Sequence, residues 1–210
     1  FILQEEGGRR RRMKTIFLHG LGQTADDWRA VIQQASLSDI DCPELFSLPE
    51  GDMSYSEILK KLEKRYEKET ETFCICGLSL GGLLALDYTI RHRNKVDSLV
   101  LIGAQYKVPT RMIDFQNFIF RCMPKKAFDN MGMSKKDTIQ LSHSMRTLDF
   151  SAGLKDIMCP VIIICGEKDT VNLKASKRLA KLLPQAELHI VPGAGHEINK
   201  EAPEAIAAIL

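Results

Sequence analysis

No apolar run in this 210-residue chain approaches the ~20 residues needed to cross a bilayer. Its first residues lack the apolar core and small-residue cleavage pattern of a secretion signal. It also lacks an excess of charge. Lys and Arg number 29 against 27 Asp and Glu, and beyond residue 12 the two signs stand at 25 each. That balance argues against binding to nucleic acid or to an anionic membrane, since both need a basic surface. The densest charged run, Lys60 to Glu71, mixes both signs and reads as solvated surface.

A disulfide framework is missing too. Cys74, Cys76, Cys159 and Cys165 lie in or beside apolar strand-like runs, where cysteine behaves as a small hydrophobe. Cys74-x-Cys76 has neither zinc-ligand spacing nor a matching Cys/His pair. No metal is expected. Reduced thiols without a secretion signal point to the cytoplasm. There is no internal repeat and no low-complexity linker. The length suits one well-buried core. Residues 1–12, with Arg9 to Arg12 in a row, are expected to be a disordered or non-native leader, with Met13 the natural start.

What the chain does have is alternation. Strand-like runs fall at 13–18, 44–48, 72–76, 97–102, 160–165 and 186–191. Helical patterns fall at 24–36, 54–69, 80–92, 172–183 and from about 199. Such alternation predicts an α/β fold, with a mostly parallel sheet of about six strands and helices on both faces.

The third run carries the chemistry: Cys74-Ile75-Cys76-Gly77-Leu78-Ser79-Leu80-Gly81-Gly82. An apolar strand feeds Gly-x-Ser-x-Gly, and a leucine-rich helix follows. This order builds a nucleophile elbow, a turn so tight that the serine backbone is strained and its hydroxyl projects clear of the sheet. Polar residues also end three other strands. His19-Gly20-Leu21-Gly22 follows 13–18, Asp169 follows 160–165, and His196 follows 186–191 through Gly193-Ala194-Gly195. In an open parallel sheet those C-terminal ends share the edge where ligands bind. Ser79 is the candidate nucleophile and His196 the base it needs within reach.

With Ser, Asp and His in that chain order, residues 13–210 resemble the α/β-hydrolase superfamily. They are most similar to its branch of small capped esterases, haloperoxidases and carbon–carbon bond hydrolases. The resemblance implies a single domain over 13–210. It also implies a small helical cap in the long segment between the fourth and fifth strands, about 105–155. The family's N-terminal antiparallel strands have no counterpart here, and the chain stops inside what should be the last helix. Of the two acids after the fifth strand, the motif Gly-x-x-Asp selects Asp169 over Glu167. The oxyanion hole is expected from the backbone N–H groups of Leu21 and Leu80, with His19 orienting the first loop. A few apolar cap residues should line an acyl pocket. Phe115 and Phe118 are the candidates, and the helical register leaves open which faces it.

These features imply a serine hydrolase acting on a small-molecule carboxylic ester with a small to medium apolar acyl group, through an acyl-enzyme and without a cofactor. The same triad would also serve thioester, lactone or carbon–carbon hydrolysis, or a slow-turnover ligand sensor. The sequence is compatible with a monomer or a homodimer.

Overall fold

Residues 161–166, Val-Ile-Ile-Ile-Cys-Gly, are all buried, the mark of a strand covered on both faces. In the computed structural model they form the fifth of six parallel strands. The structure describes residues 5–6, 9–10, 13–35, 37, 39–47 and 52–210, and side chains at all of these but 5, 6, 9, 10 and 129–131. The strands are β1 (Thr15–Leu18), β2 (Ile40–Asp41), β3 (Phe73–Leu78), β4 (Val96–Ile102), β5 (Val161–Gly166) and β6 (Ala186–Val191). Their spatial order is β2–β1–β3–β4–β5–β6. The chain thus turns one way from β1 to β2 and the other way to β3. The C-terminal ends of β1 and β3 meet at this switch point, where open α/β sheets form their binding crevice.

Period-two alternation assigns each strand residue to a face. Ile16, Leu18, Ile75, Leu99, Leu101 and Ile163 pack under α2 (Tyr55–Arg65), α3 (Leu80–Arg91) and α6 (Thr170–Leu182). Phe17, Cys74, Cys76, Val100, Ile162 and Ile164 pack under α1 (Arg29–Ala35), α7 (Ile198–Glu201) and α8 (Pro203–Ile209). Each such aliphatic side chain gains roughly 1.5–3 kcal/mol from full burial. Cys74 and Cys76 act as small core residues on the second face, and burial pushes the Cys74 thiol up to about 12.

The expected strand at 44–48 is not formed. Leu45–Ser47 is a 3₁₀ turn, and the second strand is the two-residue segment Ile40–Asp41, paired with Thr15 and Ile16. Leu45 and Phe46 both enter the same core cluster. A strand would send these neighbours to opposite faces. Pro43 also removes a ladder donor just upstream. Most of the leader expected at 1–12 lies outside the described residues. Within it, Glu5–Glu6 pairs antiparallel with Arg9–Arg10, apart from the six-stranded sheet.

Between β4 and β5 the chain leaves the sheet and returns. The two stalks meet where Val108 N donates to Leu148 O and Phe150 N donates to Tyr106 O, both at 2.9 Å. A Lys107–Asp149 ion pair at 2.7 Å reinforces the closure. Between the stalks lie α4 (Thr110–Cys122), a 3₁₀ turn (Lys125–Met131) and α5 (Lys135–Ser144).

Candidate active site

Ser79 has φ 54° and ψ −112°, and it is the only non-glycine residue with positive φ among those described. Holding a side chain there costs on the order of 1–3 kcal/mol, so the surroundings must impose it. They do so by crowding. A Cβ on Gly77 would collide with Gly81 O, one on Gly81 with Leu18 O, and one on Gly82 with the Ala104 side chain. The three glycines therefore let the turn close against β1 and β4. Ser79 N donates to Ile102 O at 2.9 Å, which pins the turn to β4. α3 starts at Leu80, so the Leu80 N–H is among the helix's unsatisfied first amides.

His196 Nδ1 and Asp169 Oδ2 are 2.6 Å apart. A carboxylate only accepts, so Nδ1 carries a proton, and in the neutral imidazole the lone pair is then on Nε2. Asp169 caps α6, and its side chain also accepts from Asn172 N and, with both oxygens, from Asn172 Nδ2 at 3.0 and 2.8 Å. Its side chain is only 8% exposed. Burial alone would raise the Asp169 pKa, but the hydrogen bonds from His196 and Asn172 outweigh it and hold the carboxyl below its ordinary range. The Asp169 and His196 loops approach closely because Gly166 carries no side chain. A Cβ there would collide with Gly195 O, and Lys168 N donates to Ala194 O at 2.9 Å. Glu167, the rival acid, turns away and accepts from Gly193 N at 2.9 Å. Asp149 and Asp114 are engaged by Lys107 and Arg146 in the cap.

The loop after β1 is held from beneath. His19 is fully buried. Its Nε2 accepts from Leu45 N at 3.1 Å and its Nδ1 donates to Gly20 O at 3.0 Å, which fixes the tautomer. Burial drives its pKa down. Gln23, also buried, uses its whole amide. Oε1 accepts from Gly20 N at 3.2 Å and Asn199 Nδ2 at 3.3 Å, while Nε2 donates to Glu197 Oε1 at 2.9 Å and Asn199 Oδ1 at 3.1 Å. One side chain thus ties the Leu21 loop to the segment after His196. Glu201 grips that segment from the other side, accepting from Gly195 N at 2.6 Å and Glu197 N at 3.2 Å.

The buried neutral His19 has a consequence for stability. The unfolded chain titrates this group near ~6.5, whereas the folded state binds the proton more weakly. Its stabilising contribution is therefore complete above that pH and is lost as pH falls below it. The urea midpoint should drop between about pH 8 and about pH 5. In His19→Gln, which keeps an acceptor for Leu45 N–H, the drop should be smaller. An equal drop in both proteins would assign the effect to other groups.

Ser79, His196, Leu21 and Leu80 line one cavity of about 410 Å³. No hydrogen bond joins Ser79 to His196, a bond that commonly forms only with substrate in place. The rest of the wall is mostly apolar: Leu83, Val108, Met112, Ile113, Phe120 and Met145, with Gln105, Gln116 and Asn172 as polar exceptions. Phe115 and Phe118 are not part of it. They are 66% and 62% exposed. α4 turns Met112, Ile113, Gln116 and Phe120 towards the cavity. At 100° per residue that places Phe115 and Phe118 on the far side. Phe120 is fixed edge-on against Phe128, with ring centroids 5.9 Å apart. Of the remaining histidines, His92 pairs with Glu63 and His189 with Glu187, and His143 is exposed on α5. Among the described residues no cluster of three or more His, Cys, Asp or Glu is placed to hold a metal ion.

Asn172, Gln23, Asn199 and Glu201 belong to the site without a motif to announce them. Only Asn172 has a readable signal. It stands three residues after an aspartate at a helix start, where a capping carboxylate finds its donors.

The sequence profile of the alpha/beta hydrolase family matches residues 15–209. A Bacillus subtilis (strain 168) protein bearing the provisional name 2-succinyl-6-hydroxy-2,4-cyclohexadiene-1-carboxylate synthase is 22% identical, over 93% of this chain and 88% of its own length. The pimeloyl-[acyl-carrier protein] methyl ester esterase of Aromatoleum aromaticum is 28% identical over 65% of this chain and 71% of its own. Among solved structures, the enol-lactonase from Burkholderia xenovorans LB400 superposes with a TM-score of 0.83, covering 98% of this chain and 91% of that one at 14% identity. That likeness speaks to the fold, while the profile match spans nearly the whole chain from β1 to α8. This chain belongs to the alpha/beta hydrolase family.

Proposed function

We propose that this hydrolase is a serine esterase that cleaves carboxylic esters of small to medium apolar acyl groups through an acyl-enzyme. The observation that carries the reading is the Asp169–His196 bond, which engages Nδ1 and leaves Nε2 as the free ring nitrogen of a histidine on the wall of the cavity that Ser79 enters from its strained turn. In this reading Ser79 Oγ attacks the ester carbonyl while His196 Nε2 takes its proton. Charge that develops on the carbonyl oxygen meets the Leu80 and Leu21 N–H groups, and such donors act most strongly when already in place. The tetrahedral centre collapses, the C–O bond to the alcohol breaks, and His196 returns the proton to the departing oxygen. Water, deprotonated by His196, then attacks the acyl-Ser79 ester and releases the acid and the free serine. Asp169 holds the imidazole and stabilises its protonated form.

Two relatives support an acyl–oxygen bond as the target. One is by name a methyl ester esterase, and the other an enol-lactonase, a lactone being a cyclic ester. A cavity of about 410 Å³ lies within the usual range for small ligands. Its apolar cap wall favours an acyl chain over a sugar or a peptide.

A fluorophosphonate should label one residue, Ser79, and nitrophenyl esters of graded acyl length should give steady turnover. Phe120→Ala should move the optimum to longer or bulkier acyl groups, since one methylene in an apolar pocket is worth roughly 1–3 kcal/mol, or 10–200-fold. An adduct mapped elsewhere, or a stoichiometric burst that stalls, would overturn the esterase reading. An unchanged length profile in a folded Phe120→Ala protein would move the acyl site away from the cap.

A further inference from the structure

The charges beyond residue 12 balance, but they are not evenly spread. α6 carries Lys174, Lys177, Arg178 and Lys181 and no acidic residue. All four are exposed, and among the described residues none has an ion-pair partner. Like charges three and four apart on a helix repel. An acid on this face would relieve that repulsion, and there is none. Lys174 and Arg178, one turn apart, face a second cavity of about 270 Å³. Across it lies the outgoing cap stalk with Tyr106 and Lys107. Lys107 is neutralised by Asp149, so Lys174 and Arg178 are the uncompensated charges, and no carboxylate lines the cavity.

This groove adjoins the catalytic cavity. Gln105 belongs to both walls, and its Nε2 donates to Asn172 Oδ1 at 2.6 Å. Asn172 in turn holds Asp169. The partition between the two spaces therefore lies beside the Asp169–His196 pair, at the imidazole edge that carries Nδ1. The cap side of the catalytic cavity is apolar. A substrate that fills both spaces has its acyl chain under the cap and its alcohol directed at the basic groove.

We propose that the groove between α6 and the cap stalk is an anion subsite for the leaving group. On this view the preferred substrates are esters whose alcohol portion bears a carboxylate or a phosphate. The inference rests on the esterase reading above. A cleft lined by one sign of charge focuses its field and concentrates counter-ions at the mouth. The two free cations add binding without touching the reacting atoms.

The test compares the butyrate ester of 4-nitrophenol with that of a nitrophenol bearing a ring carboxylate, and with a phosphate-bearing alcohol ester followed by acid release. An exposed charge pair strengthens binding by no more than a few-fold, so two cations should favour the anionic esters by about tenfold in kcat/KM, mainly through KM. The carboxylate and phosphate arms show which anion fits better. In K174Q/R178Q the preference should vanish while turnover of the neutral ester is unchanged. Raising ionic strength from about 0.05 to about 0.5 M should erode it in the parent protein, because exposed charges are screened over that range. Equal kcat/KM for neutral and anionic esters in the parent protein, or a preference that survives in the double variant, would overturn the subsite and leave the esterase reading standing. Failure of Ser79 to label or turn over any ester would instead remove the reading on which the subsite rests.

Discussion

Ser79→Ala is expected to abolish acyl-enzyme formation and to melt at the temperature of the parent protein. Alanine keeps the Cβ that makes φ 54° costly, so the strain at the elbow is unchanged and the fold should be too. What disappears is the one oxygen that the turn presents to the cavity. Where a comparable nucleophile has been removed, kcat falls by about 10⁶. Intact-mass measurement after phosphonate treatment should show no adduct, and steady-state turnover should fall to the level of background hydrolysis. Substantial turnover in a folded Ser79→Ala protein would mean that the cavity works through another nucleophile. Ser79→Gly tests the strain separately. It should be equally inactive, but glycine occupies positive φ without penalty and the protein should be no less stable.

The second large effect is expected at Asp169. Asn in its place can donate to His196 Nδ1, which would drive the imidazole into the tautomer with its proton on Nε2. That proton faces Ser79 and blocks its deprotonation. The same change in a related triad costs about 10⁴ in kcat with the geometry intact. Glu167→Gln should cost little, because Glu167 accepts only from Gly193 N, and a glutamine oxygen accepts equally well. Steady-state kinetics of the two variants on one ester would decide between the acids. Similar small losses would place the orienting acid elsewhere. The low pKa of Asp169 adds a stability test. Its contribution is present above the unfolded carboxylate range near ~3.9 and is lost as pH falls below it, so the stability gap between parent and Asp169→Asn should narrow in acid.

The elbow was legible because its constraints are local. Gly77, Ser79, Gly81 and Gly82 crowd one turn, so sequence neighbours explain one another. His196 and Asp169 were legible for a different reason. In a parallel sheet, the residue after each strand reaches the same edge whatever the loop details. The second strand was misplaced because Leu45 and Phe46 are as apolar as any strand, and their turn is held by contacts distant in sequence, such as the bond from Leu45 N to His19. The cap register failed on the same ground. α4 keeps large apolar residues on both faces, with Phe115, Phe118 and Ile119 turned to solvent and Met112, Ile113 and Phe120 to the cavity. Periodicity cannot choose between two apolar faces. Gln23 and Asn199 carry no local signal, since each is an ordinary polar residue until the other arrives.

That last pair bears on how the molecule acquires activity. Gln23 and Asn199 are 176 positions apart, and their amides close the frame that holds Gly20 and the His196 loop together. Contacts this distant must overcome nearly the full entropy of chain closure before they return any stabilisation, and parallel sheets defer such contacts to late stages of folding. The central strands and α3 can assemble with Ser79 already in its turn, while base, acid and oxyanion loop remain apart. Loss of this one closure would therefore release the His196 loop from the Gly20 loop while the glycines around Ser79 still hold its turn.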